Sequence, residues 1–196
     1  MKGLFITFEG IDGCGKSTQI DLLAKYFTKL KKPIVKTEEP GGTAGANEIR
    51  KILLRENNFQ WSVETEALLF MAARNDHVEK VIKPSIKDNK IVICDRFMDS
   101  TLVYQGMRSP KAKQLSLTLF ELIAINPDIT FLIDMEPEIA LNRALSRSTE
   151  EDRFENYGIN FQTKLRKKFL DIAHKHNDRI KIINGNQSPE DVAAQI

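Results

Sequence analysis

The sequence is poor in the residues that build disulfide scaffolds, metal centres and membrane spans. Two cysteines, Cys14 and Cys94, form no metal-binding or redox spacing. Both fall beside apolar, β-rich runs, where a thiol in a reducing cytosol is most simply a small buried packing residue. Three histidines make no ligand set either, and the His174-Lys175-His176 run reads as a solvated helix end. No apolar stretch approaches the ~18 residues of a spanning helix. Met1-Lys2-Gly3 passes straight into the first apolar run, so no leader peptide is expected. An excess of one charge is also missing. With 29 basic against 27 acidic residues the net charge is +2, which gives no case for a nucleic-acid or membrane surface as partner. A cytoplasmic location is therefore expected.

Hydrophobic residues make up 41% of the chain and charged residues 29%, and no linker, repeat or low-complexity tract interrupts them. One domain over residues 1–196 with a full core is therefore expected. Residues 10–18 read Gly-Ile-Asp-Gly-Cys-Gly-Lys-Ser-Thr and satisfy G-x-x-x-x-G-K-[ST]. A short β-rich run, residues 4–8, precedes them, and Ile20, Leu23, Ala24, Phe27 and Leu30 follow at helical spacing. Strand, glycine loop and helix are the context this phosphate loop needs. Backbone N–H groups of Gly10, Ile11, Asp12, Gly13, Cys14, Gly15, Lys16, Ser17 and Thr18 would surround phosphate oxygens at a helix N-terminus. Lys16 is expected to reach the β- and γ-phosphates, and the Ser17 hydroxyl to ligate Mg²⁺.

Apolar runs at 34–37, 90–95, 129–134 and 179–184 are the further strand candidates, separated by amphipathic helices. Runs such as Ile91-Val92-Ile93-Cys94 suit strands buried on both faces, hence a parallel sheet covered by helices. Ser109-Pro110 and Ser188-Pro189 read as N-cap and first helical residue, and a long apolar helix opens near Ser62, with Pro84 near its end. The expected fold is α/β, a P-loop NTPase-type three-layer sandwich with a five-stranded parallel sheet and helices on both faces. Right-handed crossovers then bring the loops after each strand to one edge.

Two strands end in aspartate at that edge. Asp95 is the better metal partner because Arg96 follows it, pairing a carboxylate for Mg²⁺ with a phosphate clamp. Asp134 reads instead as the cap of the next helix. Glu39-Pro40-Gly41-Gly42-Thr43 alone would be a tight turn; its place after the second strand makes it a candidate, with Arg50 on the following helix pointing back towards a phosphate. Arg143, Arg147 and Arg153 fall in a polar segment, roughly 143–158. It is either a charged loop balanced by Glu150, Glu151 and Asp152, or a lid that closes over a transferring phosphoryl group.

Taken in order, Phe8 to Thr18, Glu39 to Thr43, Leu69-Phe-Met-Ala-Ala-Arg74, Asp95-Arg-Phe97, Ser100-Thr-Leu-Val-Tyr-Gln-Gly106 and Asp152-Arg-Phe-Glu155 resemble the thymidylate kinase family, its bacterial branch in particular, from end to end. The resemblance implies transfer of the γ-phosphoryl group of ATP-Mg²⁺ to dTMP, and a homodimer built on apolar helix faces. It implies that Phe70 stacks on thymine and Arg74 donates to its O4. Thr101 and Gln105 would face the base, with Ser100, Glu39 and Pro40 also at the substrate, and Tyr104 would crowd the 2′ position. Asp12 would accept from the sugar 3′-hydroxyl, while Arg50 and Arg96 hold the acceptor phosphate. Gly13 and Cys14 carry no charge, so the lid must supply the catalytic arginine, Arg153 or Arg147, with Arg143 beside the nucleotide. One departure is Glu38, where the family commonly has arginine; an acidic residue there is either turned away or paired with a lysine.

Two other activities share parts of this pattern. A GTPase switch needs Asn-Lys-x-Asp, and Asn89-Lys90-Ile91-Val92 lacks the aspartate. A deoxynucleoside kinase acting on thymidine shares the phosphate loop and Asp-Arg pair, but not Glu39-Pro-Gly-Gly or Ala72-Ala-Arg74.

Overall fold

The structure, a computed structural model, describes residues 2–54, 60–146 and 157–196. Five strands, β1 (Leu4–Glu9), β2 (Ile34–Glu38), β3 (Ile91–Asp95), β4 (Ile129–Asp134) and β5 (Ile180–Asn184), pair in parallel in the order β2-β3-β1-β4-β5. The expected strands and sheet are there, with ends shifted by one residue. Register aligns Phe8 with Asp95 and Asp95 with Glu38, so the loops after β1, β2 and β3 leave the sheet side by side. The chain leaves β1 for β2 on one side and later crosses to β4 on the other. That reversal is where a parallel α/β sheet opens a crevice beyond its strand ends.

Alternate residues of the strands enter two cores. Ile6, Phe8, Ile93 and Phe131 pack on one face with Ile20 and Ala24 of α1 (Lys16–Lys29). Phe5, Val92, Cys94 and Phe97 pack on the other, with Phe5 and Phe97 edge-on at 5.0 Å. Both cysteines are free and buried, as packing residues should be. Of the helical pattern after the phosphate loop, Leu30 falls at the C-cap and is 48% exposed, because the helix ends before the next turn can bury it.

The serine signals mark real caps. Ser62 accepts from Thr65 N at the start of α3 (Val63–His77), Ser109 from Ala112 N at α6 (Pro110–Ile123), and Ser188 from Asp191 N at α9 (Pro189–Ala193). After α3 a single π turn, Val78–Ile82, leads into α4 (Lys83–Lys87). Pro84 has no N–H and would press on the carbonyl one turn back, and the wider turn relieves that clash.

Asp134 does not cap the helix after it, α7 (Pro137–Leu145), which has no side-chain cap. It takes two bonds from Arg166 of α8 (Ile159–Lys175), at 2.7 and 2.9 Å, while Glu136 takes a third at 2.7 Å. A two-point ion pair outweighs one neutral cap. Among the described residues no helix is long and apolar enough to cross a membrane.

Candidate active site

The loops after β1, β2 and β3 and the helices α2 (Ala44–Leu54), α3, α5 (Met98–Tyr104) and α7 enclose a cleft of about 570 Å³, the size of a small-ligand site. Its walls include Asp12, Gly13, Gly15, Lys16, Ser17, Thr18, Glu39, Pro40, Arg50, Phe70, Arg74, Asp95, Arg96, Ser100, Thr101, Tyr104, Gln105 and Arg143. Residues spread over more than 130 positions thus meet in one cleft. Gly10, Ile11 and Cys14 do not line it: Ile11 and Cys14 are buried in the core beneath the loop. Arg147 and Arg153 lie outside the described residues.

At one end, α1 begins at Lys16 directly after the loop, with Gly15 as an N-cap that supplies no side-chain bond. The first N–H groups of the helix therefore have no internal partner of their own and suit an anion. Gly13, at φ 80°, could bear no side chain, since a Cβ there would sit 1.9 Å from the Ala140 carbonyl of α7. Lys16 is folded under the loop, its Nζ donating to the carbonyls of Ile11 at 3.0 Å and Gly10 at 3.2 Å. Ser17 Oγ donates to Asp95 Oδ2 at 3.1 Å, and Asp95 Oδ1 is buried without a partner among the described residues. A hydroxyl and a carboxylate with one unused oxygen are hard donors that suit a hard divalent cation.

In the middle sits Arg96, held in the left-handed region at φ 64°. Its guanidinium donates to Gly10 O and Ser100 Oγ, both at 2.9 Å, and to Asp12 Oδ1, and it stacks over Tyr104 at 5.2 Å. Tyr104 donates its hydroxyl to Asp12 Oδ2 at 2.6 Å. Burial alone would raise the Asp12 carboxyl, but Arg96 and Lys16 beside it bring it below its ordinary value. Burial likewise opposes the Arg96 charge, and Asp12, Tyr104, Asp95 and Glu9 hold it well above its ordinary range.

At the far end, Arg74 is 2% exposed. Its Nε donates to Glu39 Oε2 at 2.6 Å and its Nη2 to Thr101 Oγ1 at 3.1 Å, with Phe97 under the guanidinium at 5.0 Å. The second Glu39 oxygen meets His77 Nδ1 at 3.0 Å, and His77 Nε2 meets Thr37 Oγ1 at 2.6 Å. Glu39 thus stands behind Arg74 as its support. Gly42, at φ 87°, packs so closely on the His77 ring that a Cβ would lie 2.4 Å from it. Arg50 bonds to the Pro40 carbonyl at 2.8 Å and to Glu38 at 3.0 Å. Glu38 is therefore paired, but with an arginine rather than a lysine. Arg143 approaches Met135 Sδ at 3.6 Å.

Sequence reading missed Glu9, His77, Asp99, Arg166 and Arg179. Buried His77 carried no spacing signal, and the others gain their partners only in the fold. Gln105 lies near the buried Glu66, its Nε2 3.4 Å from Glu66 Oε2.

Comparison with known proteins agrees with this geometry. The thymidylate kinase family model matches residues 8–196. The thymidylate kinase of Ruegeria pomeroyi is 48% identical over 99% of this chain and 92% of its own length. That of Lactobacillus acidophilus is 42% identical over 100% and 93%. The crystal structure of thymidylate kinase from Ehrlichia chaffeensis superposes with a TM-score of 0.80 at 35% identity, over 100% of this chain and 97% of that one. With the family model matched over residues 8–196 and relatives 42–48% identical along nearly their whole length, this chain is a kinase belonging to the thymidylate kinase family.

Proposed function

We propose that the chain moves the γ-phosphoryl group of ATP to dTMP, giving dTDP and ADP, with the triphosphate at the loop end of the cleft and the thymine at the Arg74 end. One observation carries the reading: Arg96 lies between the phosphate loop and the Arg74 pocket, bonded to Gly10 of the first and packed beside Ser100 and Tyr104 of the second.

The loop N–H groups and Lys16 bind the donor phosphates, Lys16 exchanging its two loop carbonyls for phosphate oxygens that bind a cation more strongly. Ser17 and Asp95 would hold the Mg²⁺ that accompanies ATP, and bound there it supplies charge neutralisation at the β- and γ-phosphates. Arg96 and Arg50 hold the acceptor phosphate in line. Phe70 stacks on thymine, and Arg74, fixed by Glu39, donates to its O4 while Thr101, Ser100 and Gln105 line the base. Tyr104 closes the 2′ side, and Asp12 accepts the 3′-hydroxyl. A phosphate monoester is largely ionised at neutral pH, so no general base is needed and catalysis is positioning with charge neutralisation. Arg153 or Arg147 in the 143–158 segment supplies the remaining positive charge, with Arg143 beside the nucleotide.

Self-association is part of the proposal. Leu68 of α3 and Leu122 of α6 are 48% and 77% exposed on helices that pack together, an apolar face suited to a second copy. Two buried free thiols suit a reducing cytoplasm.

A coupled assay of ADP release with ATP-Mg²⁺ tests the activity against dTMP, dUMP, thymidine, UMP and dCMP. Fast turnover of dTMP is expected; turnover of thymidine without dTMP would overturn the assignment.

A further inference from the structure

Glu9 at the end of β1 is 1% exposed and has no part in the roles above. Its Oε1 accepts the backbone N–H of Phe97 at 2.8 Å and of Ser100 at 3.2 Å. Its Oε2 accepts the Ser100 hydroxyl at 2.6 Å. Ser100 Oγ in turn accepts from Arg96 Nη1 at 2.9 Å. The chain Glu9–Ser100–Arg96 therefore runs from the core to the guanidinium in the middle of the cleft. Arg96 needs such a hold, because its backbone sits in a conformation an L side chain disfavours.

We propose that Glu9 is a positioning residue for phosphoryl transfer, its ionised carboxylate claiming the Ser100 hydroxyl hydrogen so that the Ser100 oxygen faces Arg96 and fixes that arginine at the acceptor phosphate. This rests on the assignment of Arg96 to that phosphate. The ionised form gives the stronger anchor. Oε1 already faces two N–H groups, so an added proton must sit on Oε2 and donate to Ser100 Oγ. The hydroxyl then accepts from Glu9 instead of donating to it, its hydrogen loses the carboxylate that fixed its direction, and the hold on Arg96 weakens.

The charged and titratable groups facing Glu9 are Asp99 of α5, Arg96 after β3, Cys94 of β3, and Arg179 ahead of β5, which grips Asp99 at 2.8 and 2.9 Å. Burial first, and Asp99 second, push the Glu9 carboxyl up to about 7 against the pull of Arg96. The switch between the two hydrogen-bond arrangements thus falls within the working range of pH.

Glu9→Gln tests this, since its amide keeps an acceptor for the two N–H groups but presents N–H to Ser100, as protonated Glu9 would. At pH 8 we expect kcat/KM for dTMP to fall about tenfold, with KM for ATP changed less than about twofold. The acid limb of kcat/KM near pH 7 should vanish in the variant, leaving the ionisation of dTMP itself near ~6. A variant with wild-type kcat/KM and the same limb would overturn the proposal. Ser100→Ala guards against a folding defect at Glu9: it keeps the carboxylate, cuts its link to Arg96 and also trims the wall beside the base, so the comparison with the double variant carries the test. It should also lower kcat/KM for dTMP, and the double variant should be no worse than the worse single one. A silent Ser100→Ala, or fully additive losses, would overturn the role of Glu9. A wild-type protein that leaves dTMP untouched would instead sink the activity assignment.

Discussion

Arg50 of α2 and Glu38 at the end of β2 form an ion pair, Nη1 to Oε2 at 3.0 Å, and the same nitrogen donates to the Pro40 carbonyl at 2.8 Å. The arginine is 22% exposed and the carboxylate 56%, so the pair stands at the lip of the cleft with the cation turned inward. An anionic residue thereby holds the cation that we assign to an anionic substrate.

Glu38 and a phosphate dianion must then compete for Arg50. Glu38→Gln is expected to lower KM for dTMP about threefold, the scale of a partly exposed ion pair, with kcat nearly unchanged. Steady-state kinetics at low and high salt check it, because the gain should shrink as salt screens the carboxylate. Arg50→Ala should move KM the other way.

Arg74 and Glu39 are a buried pair, so either partner left alone is costly. Arg74→Ala should raise KM for dTMP more than it lowers kcat and destabilise the fold by about 3–5 kcal/mol. Denaturant unfolding separates that loss from the kinetic one. Arg74→Met, which strips the same guanidinium from Glu39 Oε2, should be as unstable.

Lys16→Ala should reduce kcat by about 100-fold or more, since the cation acts where charge develops. Burst and steady-state measurements would show KM for dTMP moving far less. A variant with wild-type kcat would remove Lys16 from the reaction.

Arg153 and Arg147, which we propose for the lid, allow a direct comparison. Arg153→Ala should lower kcat about 10³-fold if it supplies the charge at the transferring group, and Arg147→Ala should be milder. Retention of kcat within a few-fold by both would end the lid assignment.

Glu9 also predicts a dependence of stability on pH. Its folded-state value, about 7, lies above the ordinary 4.5, so the folded protein binds the extra proton between them. Its contribution is full below 4.5 and is lost as pH rises through 7. The Tm of Glu9→Gln relative to wild type should therefore climb from pH 5 to pH 8. Asp12 has the opposite sign: its lowered carboxyl adds stability above its ordinary range, lost only in acid.

Much of the site was legible in sequence because local rules govern it. The phosphate loop announces itself since glycine spacing and Lys16-Ser17 are demanded by the turn into α1, and Ser62, Ser109 and Ser188 cap helices through atoms three residues away. The strand ends were legible too, because apolar runs buried on both faces stop where the sheet meets water.

Asp134 shows where local rules stop. From sequence it was a helix cap, and in the fold it binds Arg166, 32 positions away, which no neighbouring residue could announce. The same holds for Glu9 with Ser100, Glu39 with His77 and Asp99 with Arg179, whose partners lie 91, 38 and 80 positions off. By itself the sequence determined the elements, the loop chemistry and the family likeness, since those depend on residues close along the chain. Only the tertiary structure decided which buried charges support which site residues, because a charge removed from water takes as partner whatever opposite charge the packing brings within reach.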